Sequence, residues 1–123
     1  MKKKEVLDRC DRIFGIIDEL EHNGVSRGGM CKRKAGKLKF LFNDLVGEAK
    51  ASEYFCGKQY PDKEEDWIDF TKKIIDVSFG FGYVVGQSFD IPYPEIQKDI
   101  EAIKKLLKEK ALFPYFPKER KAA

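Results

Sequence analysis

Apolar residues recur along this chain at steps of three and four, the period of a helix with one buried face. Near the N-terminus Val6, Cys10, Ile13, Ile17 and Leu20 form such a stripe, widened by Leu7 and Phe14. Asn23-Gly24 follows and offers a left-handed stop. A second stripe of Leu38, Leu41, Phe42, Leu45 and Ala49 predicts a helix from about Cys31 to Cys56, with Gly57 ending it.

The third helix has the clearest start. Pro61-Asp62 precedes it, and Asp62 with Glu65 makes a capping-box-like pair that can satisfy orphan backbone donors. Trp67, Phe70, Ile74, Ser78, Phe81 and Val85 then share one face, opposite Asp69, Lys72, Asp76, Tyr83 and Gln87. Phe79, Phe81, Tyr83 and Val85 also alternate as a strand would. The helical stripe continues without a phase break, and a lone strand has no partner, so helix is the expectation. Ile91-Pro92-Tyr93-Pro94 is a stiff connector that places Pro94 at the first turn of a fourth helix. There Ile96, Ile100, Ile103 and Leu107 point inward, and Glu101 and Lys105 are spaced for an ion pair.

Short connectors between long amphipathic helices predict an all-α fold, an antiparallel up-down four-helix bundle. It covers residues 1–112, and an aromatic, proline-containing tail follows at 113–123.

Composition narrows the class. Hydrophobic residues are 42% of 123 and charged residues 37%, too apolar for disorder and too charged for a membrane protein. Met1-Lys2-Lys3-Lys4-Glu5 runs into an acid-studded helix rather than an uncharged signal core, so no export signal is expected. The three cysteines, Cys10, Cys31 and Cys56, cannot all pair within one chain, and their sparse use suits a reducing, cytoplasmic setting. No membrane contact is expected.

Several candidate chemistries fail on inspection. Glu19 and His22 form one E-x-x-H, but a di-iron bundle needs two, and His22 is the only histidine. Cys10, Cys31, Cys56 and His22 cannot converge on one tetrahedral zinc, because about 1.5 Å per helical residue keeps them apart. A Cys31–His22 nucleophile pair lacks an orienting third group. Ser26-Arg27-Gly28-Gly29 lacks phosphate-loop spacing and a preceding strand. Glu64-Glu65-Asp66 suits a first helical turn without any metal. No catalytic residue, metal or cofactor is assigned, and the expectation is a protein that is not an enzyme.

Three features remain. From Gly24 to Phe40 the chain carries Arg27, Lys32, Arg33, Lys34, Lys37 and Lys39 with no acidic residue. Cations at a helix N-terminus oppose its dipole, and an RNA or DNA backbone would relieve the repulsion. The competing reading is a solvated face, paired with Asp18, Glu19 and Glu21 at the same end of the hairpin. Second, Gly36, Phe40, Gly47, Ala51 and Tyr54 form another small and apolar stripe opposite the core of the second helix. Another helix of the bundle could cover it, or it is a surface for self-association or a protein partner. Third, Phe113, Tyr115 and Phe116 alternate with two prolines, as a cap over the bundle end or an extended docking peptide.

Two classes of function follow. The first is a non-catalytic nucleic-acid or polyanion binder, acting through residues 27–39 as a subunit of an assembly. The alternative is a protein-interaction adaptor or homo-oligomer that uses Phe40, Gly47, Ala51, Tyr54 and the aromatic tail without nucleic acid.

Overall fold

The computed structural model describes residues 3–24, 32–88 and 93–113, with side chains for 4–23, 35–83 and 94–113. Among them are four helices: α1 (Lys3–Gly24), α2 (Lys32–Gln59), α3 (Glu64–Ser88) and α4 (Tyr93–Glu109). A single 3-10 turn, Pro61–Lys63, precedes α3, and no strand occurs among the described residues. Residues 79–88 are therefore helical, as the unbroken stripe requires.

The helices form an antiparallel ring. Arg9 of α1 meets Glu48 of α2, Phe42 of α2 meets Phe81 of α3, and Asp66 near the start of α3 meets Lys110 just after α4. α1 also packs on α4 and closes the ring. The inward stripes supply the core: Val6, Cys10, Ile13, Ile17 and Leu20 from α1, and Leu38, Leu41, Phe42, Leu45 and Ala49 from α2. Trp67, Phe70, Ile74, Val77 and Phe81 come from α3, and Ile96, Ile100, Ile103 and Leu107 from α4. Each large side chain so buried contributes about 1.5–3 kcal/mol against the entropy of ordering the chain.

Helix ends differ from expectation in instructive ways. α1 closes with a side chain, since the Asn23 amide donates to the Glu19 carbonyl at 2.7 Å. Gly57 does not stop α2, which runs on to Gln59. The Tyr60 N–H donates to the Cys56 carbonyl at 2.8 Å, and the chain turns at Tyr60-Pro61. Proline fixes φ and lacks an N–H, so it ends a helix more firmly than a glycine that can stay helical. Gly57 is buried against the Glu64 side chain where the two helices meet; a Cβ built there would lie 3.6 Å from the Glu64 Cγ. Asp62 lies inside the 3-10 turn rather than ahead of α3, so it is not the helix cap.

After α4 the chain makes a Schellman turn. The Ala111 N–H donates to the Lys108 carbonyl and the Leu112 N–H to the Leu107 carbonyl, both at 3.2 Å, with Ala111 at φ 48°. Leu112 and Phe113 fold back into the core, and the Phe113 ring meets Trp67 edge-on at 5.0 Å. The packed unit therefore includes Phe113, one residue past the expected tail boundary.

Ion pairing on α4 also departs from expectation. Glu101 lies 4.0 Å from Lys104 instead of pairing with Lys105, which pairs with Glu109 at 3.7 Å. Lys104 is drawn across to Glu21 of α1 at 2.6 Å. No helix among the described residues is long and apolar enough to cross a membrane.

Candidate interaction surfaces

The α2–α3 hairpin carries the exposed aromatic side chains. Phe40 is 65% exposed, Tyr54 58% and Phe55 44% on α2, while Phe79 and Tyr83 on α3 are 76% and 70% exposed. Because α2 and α3 are antiparallel, Phe40, Phe79 and Tyr83 lie toward one end of the hairpin, away from the Tyr60–Lys63 connection. Tyr54 and Phe55 lie toward the other. Exposed rings of this size on two adjacent helices are unusual for a surface with no partner.

The two halves of this surface are built differently. Lys58 donates to the Tyr54 hydroxyl at 2.9 Å and also sits 4.3 Å from the ring centre. That hydrogen bond from a cation, helped by its charge, lowers the Tyr54 pKa from the ordinary tyrosine value. The Tyr54 and Phe55 rings meet edge to face at 5.0 Å, and the Arg9 guanidinium lies 5.1 Å from the Phe55 ring centre. Phe40, Phe79 and Tyr83 project from the outer sides of their helices.

Open grooves run between the helices among the described residues. The groove between α2 and α3, about 770 Å³, is lined by Tyr54, Gly57, Ile68, Thr71 and Ile75 with Lys50 and Glu53 at its edge. The groove between α1 and α2, about 510 Å³, has Gly15, Ile16 and Gly47 on its walls. A smaller one between α3 and α4, about 260 Å³, has Phe42 and Phe81 beside Lys73, Asp76, Glu95 and Asp99. Burial raises the Asp99 pKa; Lys73 works against that rise and Glu95 adds to it. Among the described residues no three His, Cys, Asp or Glu side chains are grouped to hold a metal ion.

No family model matches the chain, and neither a curated protein nor a solved structure does. The site rests on geometry alone.

Of the residues singled out in the sequence, Phe40, Gly47 and Tyr54 are exposed on the outer face of α2, and Ala51 beside them is half-buried. The other helices leave this second stripe open. Lys37 and Lys39 are exposed, and Lys32, Arg33 and Lys34 belong to the first turn of α2, which has no acidic residue. Arg27, Tyr115 and Phe116 lie outside the described residues. Phe113 is corrected: at 1% exposure it belongs to the core against Trp67 and is no partner surface. Its placement fits a cap over the bundle end.

Phe55, Phe79 and Tyr83 were missed as surface anchors. The helical phase already placed Phe79 off the core stripe and Tyr83 opposite it, but the alternating-strand pattern around the glycines drew attention from their shared face. Cys10 and Cys56 are buried, and Cys31 lies outside the described residues. Burial pushes the Cys56 thiol up to about 11, partly offset by the Arg9 charge. A thiol so disposed is a packing group rather than a nucleophile.

Proposed function

We propose that this protein is a non-catalytic assembly subunit that associates with copies of itself through the outer aromatic surface of the α2–α3 hairpin. One observation carries the reading: five large aromatic residues of that hairpin stay between 44% and 76% exposed. Removing such rings from water favours association, and salt does not screen that term. The test is sedimentation of the native chain from about 5 to 500 μM at low and high salt, the range expected of a small interface. Association that survives high salt and is lost in a Phe40→Ser, Phe79→Ser, Tyr83→Ser variant supports the reading. A monomer under every condition overturns it.

A polyanion-binding role for residues 27–39 is favoured by a separate observation. The first turn of α2 contains no acidic residue, Lys37 and Lys39 are exposed, and Glu21, one of the three acids at that end of the hairpin, is engaged by Lys104. Contact with RNA or DNA would be backbone-directed and steeply salt-dependent. Fluorescence anisotropy with labelled RNA and DNA, comparing the native chain with one neutralised at Arg27, Arg33 and Lys37, tests it. Loss of about three counterions of salt slope in the variant is the expected result. Identical binding by the two proteins removes this role from the segment.

A further inference from the structure

We infer that the occupant of the α2 outer face is the same face of a second copy, laid antiparallel about a two-fold axis at Gly47. This rests on the self-association reading and specifies its geometry. Phe40 lies seven residues before Gly47 and Tyr54 seven after, and all three lie on one side of the helix. In an isologous antiparallel pair, positions equidistant from the axis meet, so Phe40 of each copy packs against Tyr54 of the other. Asn43 and Ala51 meet in the same way, as small flanking contacts.

Charge supports this register. Glu53 borders the groove between α2 and α3, and Lys39, fourteen residues earlier, lies on that same flank of α2. A two-fold axis brings like flanks together. Lys39 of one copy then comes level, within about 3 Å along the helix, with Glu53 of the other, and this occurs twice. Neither residue makes an ion pair with a described residue of its own chain. Lys58 borders the same α2–α3 groove as Glu53. Near the ends of the face it comes level with Lys37 of the other copy as a like charge, and long side chains can keep both ammonium groups in water. Lys58 is already turned onto the Tyr54 ring.

Gly47 allows the close approach this geometry needs. Glycine in mid-helix is unfavourable relative to alanine, and a Cβ built at position 47 would meet nothing within 4 Å inside the chain, as is also true at Gly15, Gly36, Gly80 and Gly82. Gly47 is the one of these that lies midway between Phe40 and Tyr54, where a second backbone can cross closely.

The test uses charge reversal and cross-linking in the full chain. Lys39→Glu or Glu53→Lys alone sets like charges opposite each other twice, and each weakens dimerisation about tenfold. The double variant Lys39→Glu/Glu53→Lys restores it to within about twofold, and a mixture of the two single variants forms heterodimers. Gly47→Cys cross-links to itself on mild oxidation, while Lys98→Cys, on the exposed side of α4 away from α2, does not. Gly47→Leu separates folding from association, because it raises the melting temperature of the monomer while abolishing the dimer.

A dimer indifferent to both reversals, or weakened by both without rescue, overturns this geometry. So does cross-linking at 47 no better than at 98. Association that persists with those results leaves self-association standing on another surface, such as that of Phe79 and Tyr83. A chain that stays monomeric overturns both.

Discussion

The Arg9 guanidinium of α1 donates to the Glu48 carboxylate of α2 at 3.1 Å and lies 5.1 Å from the centre of the Phe55 ring. One planar cation thus ties two helices and covers part of an aromatic ring. Both members of the ion pair are about three-quarters buried, so the pair is screened less than a surface bridge. Arg9→Ala is expected to cost about 1–2 kcal/mol in urea denaturation, because it also leaves Glu48 without its partner. Arg9→Lys recovers only part, since an ammonium cannot serve the carboxylate and the ring with one planar group.

Phe113 is the test of where the packed unit ends. Its ring fills the space against Trp67, so Phe113→Ala is expected to cost about 3 kcal/mol in denaturant titration. A loss below about 0.5 kcal/mol would place it outside the core.

Ala111 holds a left-handed backbone, φ 48°, in which its Cβ is strained. Ala111→Gly relieves that strain and is expected to stabilise the protein by about 0.5–1 kcal/mol after the entropy of the freer unfolded chain is subtracted. Differential scanning calorimetry reads it as a rise of a few degrees.

Asp99 sits in the groove beside Phe42, where burial raises its pKa, Lys73 opposes the rise and Glu95 adds to it. A carboxyl with a raised folded pKa binds more protons in the folded state. Stability therefore falls as pH climbs from the unfolded value through the folded one. Asp99→Asn is expected to raise the melting temperature by roughly 1–3 °C at pH 7, and the difference should vanish at about pH 3, where both states are protonated.

The Cys56 thiol behaves in the same sense at the alkaline end. Its folded pKa stands at about 11 against 9.0, so its contribution is intact below about pH 9 and is lost as pH rises to 11. Between pH 8 and 10.5 the native chain should lose about 2 kcal/mol more than Cys56→Val. Equal losses in urea denaturation would count against a buried thiol there.

Much of the fold was legible because its helices are strongly periodic. The inward residues of α1 and α4 match their apolar stripes position for position, and a period of three and four admits only one buried face. What escaped the sequence were decisions made between helices. Lys104 leaves its own helix for Glu21 because the bundle brings α1 alongside α4. Val77 is buried where Ser78, only half-buried, was expected, because the core stripe steps four, three and four residues from Phe70 through Ile74 and Val77 to Phe81. Phe113 looked like a tail residue because the turn before it uses alanine where glycine is the usual signal.

The candidate surface was half legible. Phe40 and Tyr54 stand opposite an unambiguous core stripe, so helical phase alone set them outward. Phe79 and Tyr83 belong to the stretch where glycines made two periods compete, and only the folded helix settles which face they share.

Trp67, enclosed by Phe70 and Phe113 with its indole N–H unpartnered among the described residues, is the only tryptophan in the chain. The protein thereby carries a built-in optical reporter at one end of its bundle. Unlabelled, it should emit at short wavelength while the last turn is closed, and shift to the red when Phe113 lifts away. Local opening of that end can then be followed separately from global melting measured by circular dichroism.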